Sequence, residues 1–482
     1  MSATRLRAAL LAAIAAGVVA RLFQAVEKPL WADEIFTLVL ARLPVPGILQ
    51  ALRTDSGGPL HYLVARALLL PFGPPGPHDV LVRALSVAAS LLHLPLFVLV
   101  ARRLSLAGTG LRAAAIYAVA PLSVYFGAEG RAYAVASLFA FLAFERALAV
   151  RETPTPGRVA SLALAAGAAV QMHYLAVFPV AGLLVLLAGA SPRARAGLAA
   201  GGAGGALLVL PWAPALLHQP LAALAWARFV PFELRLLRLP VTLLGLTEPE
   251  RPMLLAVLLA ASVLALLVVS GFRSAMAAVA GVFALGLALF FAASLGVPTI
   301  FRPGRSVFFF LPFVALLAAG APRPVPLLSL LVPGAFLPLV LWSAHFPSAI
   351  ESLTELVLPE AVRGTRVVVA GLPALEIDYR LARAGLPGRV VYFPSDVARH
   401  PGWYEDDAVP ENRLEDEARR VVSATPRPSV WVLPHSLRAS SALRSALAPS
   451  RPRRLADHPA AELFAVAPEP RRGARLAVPA DP

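Results

Sequence analysis

Ionisable side chains that could perform acid–base chemistry fall in five separate stretches of the first 345 residues. Adjacent acids occur in WADEIFT, another acid precedes GGPLHY, and acidic, basic or aromatic polar residues mark EGRAY, MHY and FRPGRS. The candidates are Asp33, Glu34, Asp55, Glu129, Arg131, Tyr133, His173, Tyr174, Arg302 and Arg305. Carboxylates can take a proton from a hydroxyl group, and arginines can hold a phosphate or another anion. If these stretches meet, they would line a cavity suited to both tasks.

The composition places these residues in a membrane protein. Hydrophobic residues make up 58% of the 482 residues, charged residues only 15%, and the mean hydropathy is +0.72. Soluble domains carry about 25% charged residues. Several windows of roughly 18 or more residues carry almost no charge, and this is the length that crosses a bilayer. We therefore expect a polytopic α-helical membrane protein.

The apolar windows predict about eleven transmembrane helices. Their centres lie near Ala15, Leu91, Val119, Phe141, Ala165, Leu183, Leu207, Leu259, Ala284, Phe313 and Pro333. Arginines accumulate in every second connection, on the side of Arg5 and Arg7, so this side is cytoplasmic by the positive-inside rule. The first outer loop, 27–79, and everything after residue 346 then lie outside the cytoplasm. All five candidate stretches fall at this outer face.

The chain divides into three parts by composition. Residues 1–345 form the membrane domain, whose outer loop holds two apolar stretches, IFTLVLARL and HYLVARALLL, that fit helices lying in the membrane interface. Residues 346–468 indicate a soluble α/β domain with a partly parallel sheet, because the strand-like stretches TRVVVAG, GRVVYFP and SVWVLP alternate with segments of helical spacing. The Pro- and Arg-rich tail, 469–482, is predicted to be disordered.

Charge and cysteine content narrow the range of partners. The net charge of +15 is spread over helix ends rather than gathered in a patch, so membrane lipids are expected as partners and nucleic acid is not. The chain has no cysteine, which excludes disulfides and thiolate chemistry. We see no cluster of metal ligands and no glycine-rich phosphate loop. The sequence therefore predicts no cofactor and no metal site, while leaving a metal ion open.

Each candidate also has an interpretation that involves no chemistry. The acid pair in WADEIFT could solvate the start of a helix, and Glu129 could form a local ion pair with Arg131. Asp55 could belong to a turn, and His173 could be a satisfied interfacial histidine. The two arginines of FRPGRS could contact lipid headgroups. The convergence of five stretches on one membrane face favours a shared site.

In this order the motifs resemble the GT-C superfamily of membrane glycosyltransferases. The similarity is to the branch of the protein O-mannosyltransferases, the lipid A aminoarabinose transferases and the bacterial relatives of glycosyltransferase family 39. WADEIFT, EGRAY, the His-Tyr pair and the arginine-bearing start of a late span match the pattern over about the first 320 residues. A Pro-Leu-Tyr-Tyr-like stretch is matched by PLHY, which adds His61 and Tyr62 to the candidates. Gly58 and His61 depart from the pattern, in place of a proline and a tyrosine.

The resemblance implies a reaction and a location. A monosaccharide would move, with inversion, from a polyprenyl-phosphate donor to a glycolipid, glycan or protein acceptor at the outer face of a bacterial inner or plasma membrane. Asp33 would be the general base, and Glu34 or Glu129 would orient the acceptor or tune that base. The donor phosphate would be held by Arg131, Arg302 or Arg305.

Two other functions stay open. A transporter or flippase of lipid-linked glycans often shows internal repeats and polar sites near the bilayer midplane, whereas we find no repeat and the acids lie at the outer ends of the spans. A non-catalytic member of the same fold could act in envelope assembly. The retained Asp33 argues against that interpretation.

Overall fold

The computed structural model describes residues 3–53, 55, 57–72, 78–106, 108–219, 232–244, 254–272, 275–297, 300, 303–322, 325–343, 349–399, 409–435 and 437–467. The chain forms two compact units, Met1–Phe346 and Pro347–Pro482. The tail 469–482 and the candidate Arg302 lie outside the described residues.

The first unit is helical throughout its described residues. Its α-helices are α1 (Ala3–Glu27), α2 (Ala32–Arg42), α3 (Val45–Leu52), α4 (Pro59–Leu69), α5 (His78–Arg103), α6 (Thr109–Val119), α7 (Pro121–Gly127), α8 (Tyr133–Glu152), α9 (Pro156–Met172), α10 (Val177–Gly182), α11 (Pro192–Val209), α12 (Ala213–His218), α13 (Phe232–Leu243), α14 (Leu254–Phe272), α15 (Ala277–Gly296), α16 (Pro303–Ser306), α17 (Leu311–Gly320) and α18 (Val325–Ser343). Short 3₁₀ segments occur at Tyr174–Ala176, Leu183–Leu187, Leu210–Trp212 and Phe308–Phe310.

Several of these helices can span a membrane. Among the described residues, five are long and apolar enough: Ala3–Glu27, Asp79–Arg103, Tyr133–Glu152, Pro192–Leu217 and Ala277–Gly296. A sixth candidate is the pair formed by α6 and α7, which are bent by 71° relative to each other. Shorter apolar helices occur at Tyr174–Leu187, Ala260–Phe272, Gly304–Gly320 and Leu328–Pro338. The membrane-protein class is supported, and the number of about eleven spans stays a prediction.

Helices α2 and α4 contain the two apolar stretches of the first outer loop. They are 11 residues long each, too short to cross a bilayer. Both pack into the membrane unit, since Ile35, Leu38 and Tyr62 are buried. The loop therefore carries its acid pair on a helix fixed against the bundle.

The break between α6 and α7 is held by a buried arginine of α1. Pro121 has no backbone N–H, so the carbonyl of Tyr117 loses its helical partner. The Arg21 guanidinium, 1% exposed, donates to this carbonyl at 3.3 Å and to the carbonyl of Ala118 at 2.7 Å. It also donates to the hydroxyls of Ser90 and Ser123, both at 2.6 Å. Arg21 thus supplies the hydrogen bonds that the bend removes.

Close packing of α1 against α6 brings Arg21 to the break. A Cβ at Gly17 would lie 2.2 Å from the carbonyl oxygen of Ala118. Only a residue without a side chain permits this approach, as at many helix crossings in membranes.

The second unit is an α/β domain. Its elements are α19 (Ala349–Val362), β1 (Arg366–Ala370), α20 (Pro373–Arg383), β2 (Val390–Phe393), α21 (Asp396–Arg399), α22 (Glu411–Ala424), β3 (Ser429–Pro434), α23 (Arg438–Leu447), a 3₁₀ segment (Ala448–Ser450), β4 (Arg453–His458) and β5 (Ala461–Val466). The sheet order is β2-β1-β3-β5-β4. Strands β2, β1 and β3 are parallel, and β5 pairs antiparallel with β3 and β4.

Alternating side chains of the sheet face two helical layers. Val367 and Val369 pack in one cluster with residues of α19 and α20, such as Leu353 and Ile377. Val368 and Ala370 pack in the other cluster, with residues of α22 and α23. The period of two in a strand therefore gives both faces a core. The three stretches predicted as strands from the sequence form β1, β2 and β3.

Replacing Arg21 by methionine is expected to destabilise the membrane unit. The change leaves the buried carbonyls of Tyr117 and Ala118 without donors, which costs about 1–3 kcal/mol for each group. Thermal denaturation in detergent measures the loss. Arg7→Met, at an exposed position of the same helix, is the control, and equal melting temperatures for the two variants would contradict the role of Arg21.

Candidate functional site

Asp33 lies in the first turn of α2 between two arginines. Its carboxylate oxygen Oδ2 accepts a hydrogen bond from Nη1 of Arg305 at 3.3 Å, and Nε of Arg131 lies 4.0 Å away. The side chain is 1% exposed. The other oxygen, Oδ1, is buried and has no hydrogen-bond partner among the described residues. Asp33 therefore keeps one acceptor free while its second oxygen is held in place.

Glu34, the next residue of α2, has a different environment. Arg83 of α5 donates two hydrogen bonds to its carboxylate, from Nε to Oε1 at 2.7 Å and from Nη2 to Oε2 at 2.6 Å. The backbone N–H of Gly130 donates to Oε1 at 2.7 Å. Successive residues of a helix point about 100° apart, so the two adjacent acids reach different neighbours. Both carboxylate oxygens of Glu34 are occupied.

Arg131 connects the loop helices to the segment before α8. Its Nη1 donates to the backbone carbonyl of Asp33, the hydroxyl of Thr37 and the hydroxyl of Tyr62, each at 3.2 Å. Ser86 of α5 donates in turn to the carbonyl of Arg131 at 2.9 Å. These contacts fix the guanidinium beside Asp33.

Glu129 is buried near the same residues, but its carboxylate makes no hydrogen bond to a described residue. It is 1% exposed, and neither carboxylate oxygen has a partner among the described residues. Burial raises the pKa of Glu129 to about 7, although Lys28 and Arg305 oppose this shift. Near neutral pH it can therefore gain or lose a proton. The local ion pair between Glu129 and Arg131 that the sequence left open is not among the salt bridges of the described residues.

Two histidines border a small cavity next to Arg131. The cavity has a volume of about 40 Å³. It is lined by Gly57, Gly58, His61, Tyr62, Arg131, Ala132, Tyr133, Met172, His173 and Tyr174. Burial and the nearby Arg131 lower the pKa values of His61 and His173 to about 3. Both rings are therefore neutral at physiological pH, and they suit hydroxyl groups better than anions.

The two histidines differ in their hydrogen bonds. His61 is 2% exposed, and neither ring nitrogen makes a hydrogen bond of normal geometry to a described residue, although the Gly130 backbone favours its protonated form. In His173, Nδ1 accepts from the backbone N–H of Leu175 at 3.3 Å. The ring of His173 packs against Tyr133, with 5.0 Å between ring centroids. Of the two, only His61 has both ring nitrogens without a hydrogen bond of normal geometry to a described residue.

The departure at Gly58 has a steric reason. A Cβ at this position would lie 2.2 Å from the backbone carbonyl oxygen of Gln171 in α9. Proline, which the family pattern has here, would meet the same obstacle. Tyr174 strengthens this junction, since its hydroxyl donates to the carbonyl of Gly57 at 2.7 Å and accepts from Nε1 of Trp212 at 2.7 Å. Tyr174 thus holds the loop against the bundle.

Most sequence candidates come together in space. Asp33 contacts both Arg131 and Arg305, and Arg131 also contacts Tyr62. Asp55 is buried within electrostatic range of Tyr62, Arg131 and Tyr174. Glu34 turns toward α5 instead. The chemical roles of these residues remain predictions.

Three further residues of the site were missed from the sequence. Arg83 binds Glu34, and Lys28 interacts electrostatically with Glu129. The ring of Trp31 lies 5.0 Å from the guanidinium carbon of Arg305. A signal existed for two of them. Arg83 is the only arginine or lysine between Arg66 and Arg102, in an otherwise apolar stretch, and Lys28 is the only lysine of the chain.

Buried polar atoms without partners concentrate at this site. Among the described residues they include Lys28 Nζ, Trp31 Nε1, Asp33 Oδ1, both ring nitrogens of His61 and both carboxylate oxygens of Glu129. Buried polar groups in folded proteins are normally hydrogen-bonded, so a cluster of exceptions indicates a place for a polar ligand. In the described part of the chain, no three His, Asp or Glu side chains are grouped as metal ligands would be.

Comparisons with solved structures identify the fold. No protein-family model matches the sequence, and no curated protein matches it in sequence. The chain superposes on ArnT from Cupriavidus metallidurans bound to undecaprenyl phosphate, with 13% identity and a TM-score of 0.55, over 97% of this chain and 99% of that one. It also matches the apo form of the oligosaccharyltransferase of Archaeoglobus fulgidus, with 12% identity and a TM-score of 0.50, over 88% of this chain and 69% of that one.

Both neighbours belong to the GT-C superfamily. At these identities the likeness concerns the fold, and it extends through nearly the whole chain in the case of ArnT. The resemblance drawn from the motifs is therefore confirmed at the level of fold: this chain has the architecture of the GT-C membrane glycosyltransferases.

Proposed function

We propose that the protein is a membrane glycosyltransferase that moves a monosaccharide from a polyprenyl-phosphate donor to an acceptor hydroxyl at the extracytoplasmic face. The observation that carries the proposal is the carboxylate of Asp33. It is buried, its Oδ2 is held by Arg305, and its Oδ1 has no partner among the described residues. A general base needs such an acceptor within reach of the proton that it removes.

Asp33 acts as the base in a single inverting displacement. The acceptor hydroxyl donates its hydrogen bond to Oδ1 and attacks the anomeric carbon as its proton passes to Asp33. The bond between this carbon and the phosphate oxygen breaks on the opposite side, and polyprenyl phosphate leaves. Arg131 and Arg305 orient the carboxylate, and their positive charge also stabilises the negative charge that grows on the departing phosphate.

The fold supports a lipid-linked donor. ArnT, whose fold this chain shares, has been solved with undecaprenyl phosphate. Long apolar helices surround the site, and they can accommodate a polyprenyl tail while the phosphate stays at the polar end. The acceptor is a glycolipid, a glycan or a protein.

Glu34 is a positioning residue in this proposal. Its two oxygens are engaged by Arg83 and Gly130, so it has no free acceptor for a substrate proton. By tying α2 to α5 and to the segment before α8, it sets the direction in which Asp33 points.

His61 suits a neutral part of the substrate. Its uncharged ring offers one donor and one acceptor beside Arg131 and the small cavity. A sugar hydroxyl can use both. Glu129, with a pKa of about 7, is placed to accept or donate a further hydrogen bond.

Asp33→Asn is expected to reduce kcat by about 10²–10⁴-fold, the usual contribution of a general base, while binding of the donor persists. The kcat is measured from the transfer of radiolabelled sugar from polyprenyl-phosphate donors by purified protein in lipid nanodiscs. Glu27→Gln, at an exposed position just before the site, is the matched control.

Equal rates for wild type and Asp33→Asn would refute the assignment of the base. If the wild type transfers none of the sugars tested but carries lipid-linked glycans across vesicles, the transporter interpretation replaces this one. If it does neither, the protein is a non-catalytic member of the fold.

Glu34→Gln is expected to lower the free energy of unfolding by about 3–5 kcal/mol, because it leaves the buried charge of Arg83 uncompensated. The double variant Glu34→Gln/Arg83→Gln should recover part of this loss, since neither charge remains. Thermal denaturation in detergent measures both, with Arg102→Gln, at an exposed position of α5, as control. A Glu34→Gln protein of unchanged stability would contradict the structural role of Glu34.

A further inference from the structure

Lys28 carries a buried amino group that no described residue binds. The residue follows α1 directly and is the only lysine of the chain. Its Nζ atom makes no hydrogen bond. The ring of Tyr125 lies 4.0 Å from Nζ, which attracts the cation but leaves its three N–H donors unused. A buried charge in this state is costly, so the arrangement indicates an acceptor that a ligand brings.

The neighbours of Lys28 do not supply that acceptor. Glu129 attracts Lys28 electrostatically, yet both its oxygens lack hydrogen-bond partners among the described residues. Glu34 also attracts Lys28, but its carboxylate forms a salt bridge with Arg83. The charge of Arg305 acts in the opposite direction and repels Lys28.

Other donors lie close to the same place. The guanidinium of Arg305 packs on the ring of Trp31, and the indole Nε1 of Trp31 is buried without a partner among the described residues. Arg305 lies within electrostatic range of Lys28, and Trp31 is three residues from it in the chain. An anion with several acceptor oxygens, such as a phosphate group, satisfies these donors.

We infer that Lys28 binds the phosphate group of the lipid-linked donor, with Arg305 and Trp31 Nε1 beside it. This inference rests on the proposed function and adds a binding residue that none of the sequence motifs contains. Lys28 and Asp33 lie at opposite ends of one short segment, from the end of α1 to the first turn of α2. The phosphate and the base are thus positioned by the same stretch of chain.

The test measures binding rather than turnover. Purified full-length protein in phosphatidylglycerol nanodiscs is titrated with radiolabelled undecaprenyl phosphate. Lys28→Met should raise its Kd by about tenfold or more, as expected when a hydrogen bond between charged groups is lost. Lys28→Arg should retain most of the affinity. Arg53→Met, which removes an exposed cation of the same outer loop, should leave Kd unchanged, and thermal denaturation verifies that every variant is folded.

The double variant Lys28→Met/Glu129→Gln separates binding from mere charge compensation. If Lys28 binds phosphate, the double variant stays weak. If Lys28 only neutralises Glu129, the double variant regains the wild-type Kd, and the inference fails.

The remaining outcomes are also distinct. If the wild type binds undecaprenyl phosphate and transfers sugar, an unchanged Kd for Lys28→Met overturns the inference but not the proposed function. Competition by inorganic phosphate or by a larger fraction of phosphatidylglycerol, at concentrations where either displaces undecaprenyl phosphate, would assign Lys28 to general headgroup contact and overturn it as well. A wild-type protein that binds no undecaprenyl phosphate refutes both the inference and the proposed function.

Discussion

The buried ion pair between Glu34 and Arg83 is the contact on which the site depends. Its side chains are 0% and 1% exposed, and a charge in such surroundings must be paired or it destabilises the fold. Arg83 also donates to the backbone carbonyls of Ala25, Lys28 and Pro29. The pair therefore joins the end of α1, the start of α2 and the N-terminal part of α5. The helix turn that carries Asp33 takes its position from this junction.

Two adjacent acids acquire different chemistry from this junction. Because Glu34 is saturated by Arg83 and Gly130, the helix turn that carries it is fixed, and Asp33 has to face Arg131 and Arg305. One carboxylate holds the structure while the other keeps an oxygen free. The same contrast separates Arg21, whose donors are used at the break between α6 and α7, from Lys28, whose donors are not. Satisfied buried charges build the fold, and unsatisfied ones indicate where a ligand binds.

The departures from the family pattern have different physical origins. Gly58 is required by the backbone of α9, which leaves no room for a Cβ. His61 places a neutral ring against Arg131 and the cavity, and its nitrogens make no hydrogen bond of normal geometry to a described residue. The first departure concerns packing, and the second changes the polar atoms that line the cavity.

The sequence by itself determined the membrane class, the strand stretches of the α/β domain and the stretches that carry the site. Apolar length and period-two patterns are local properties, and scarce ionisable residues in an apolar chain are conspicuous. Only the tertiary structure decided which of the two acids keeps a free oxygen, because Arg83 lies 49 residues away in the chain. It likewise decided that Arg21 donates hydrogen bonds to described residues whereas the amino group of Lys28 does not. In the sequence both are simply cations near a helix end. Hydrogen-bond partners at such separations follow from packing, and no local pattern encodes them.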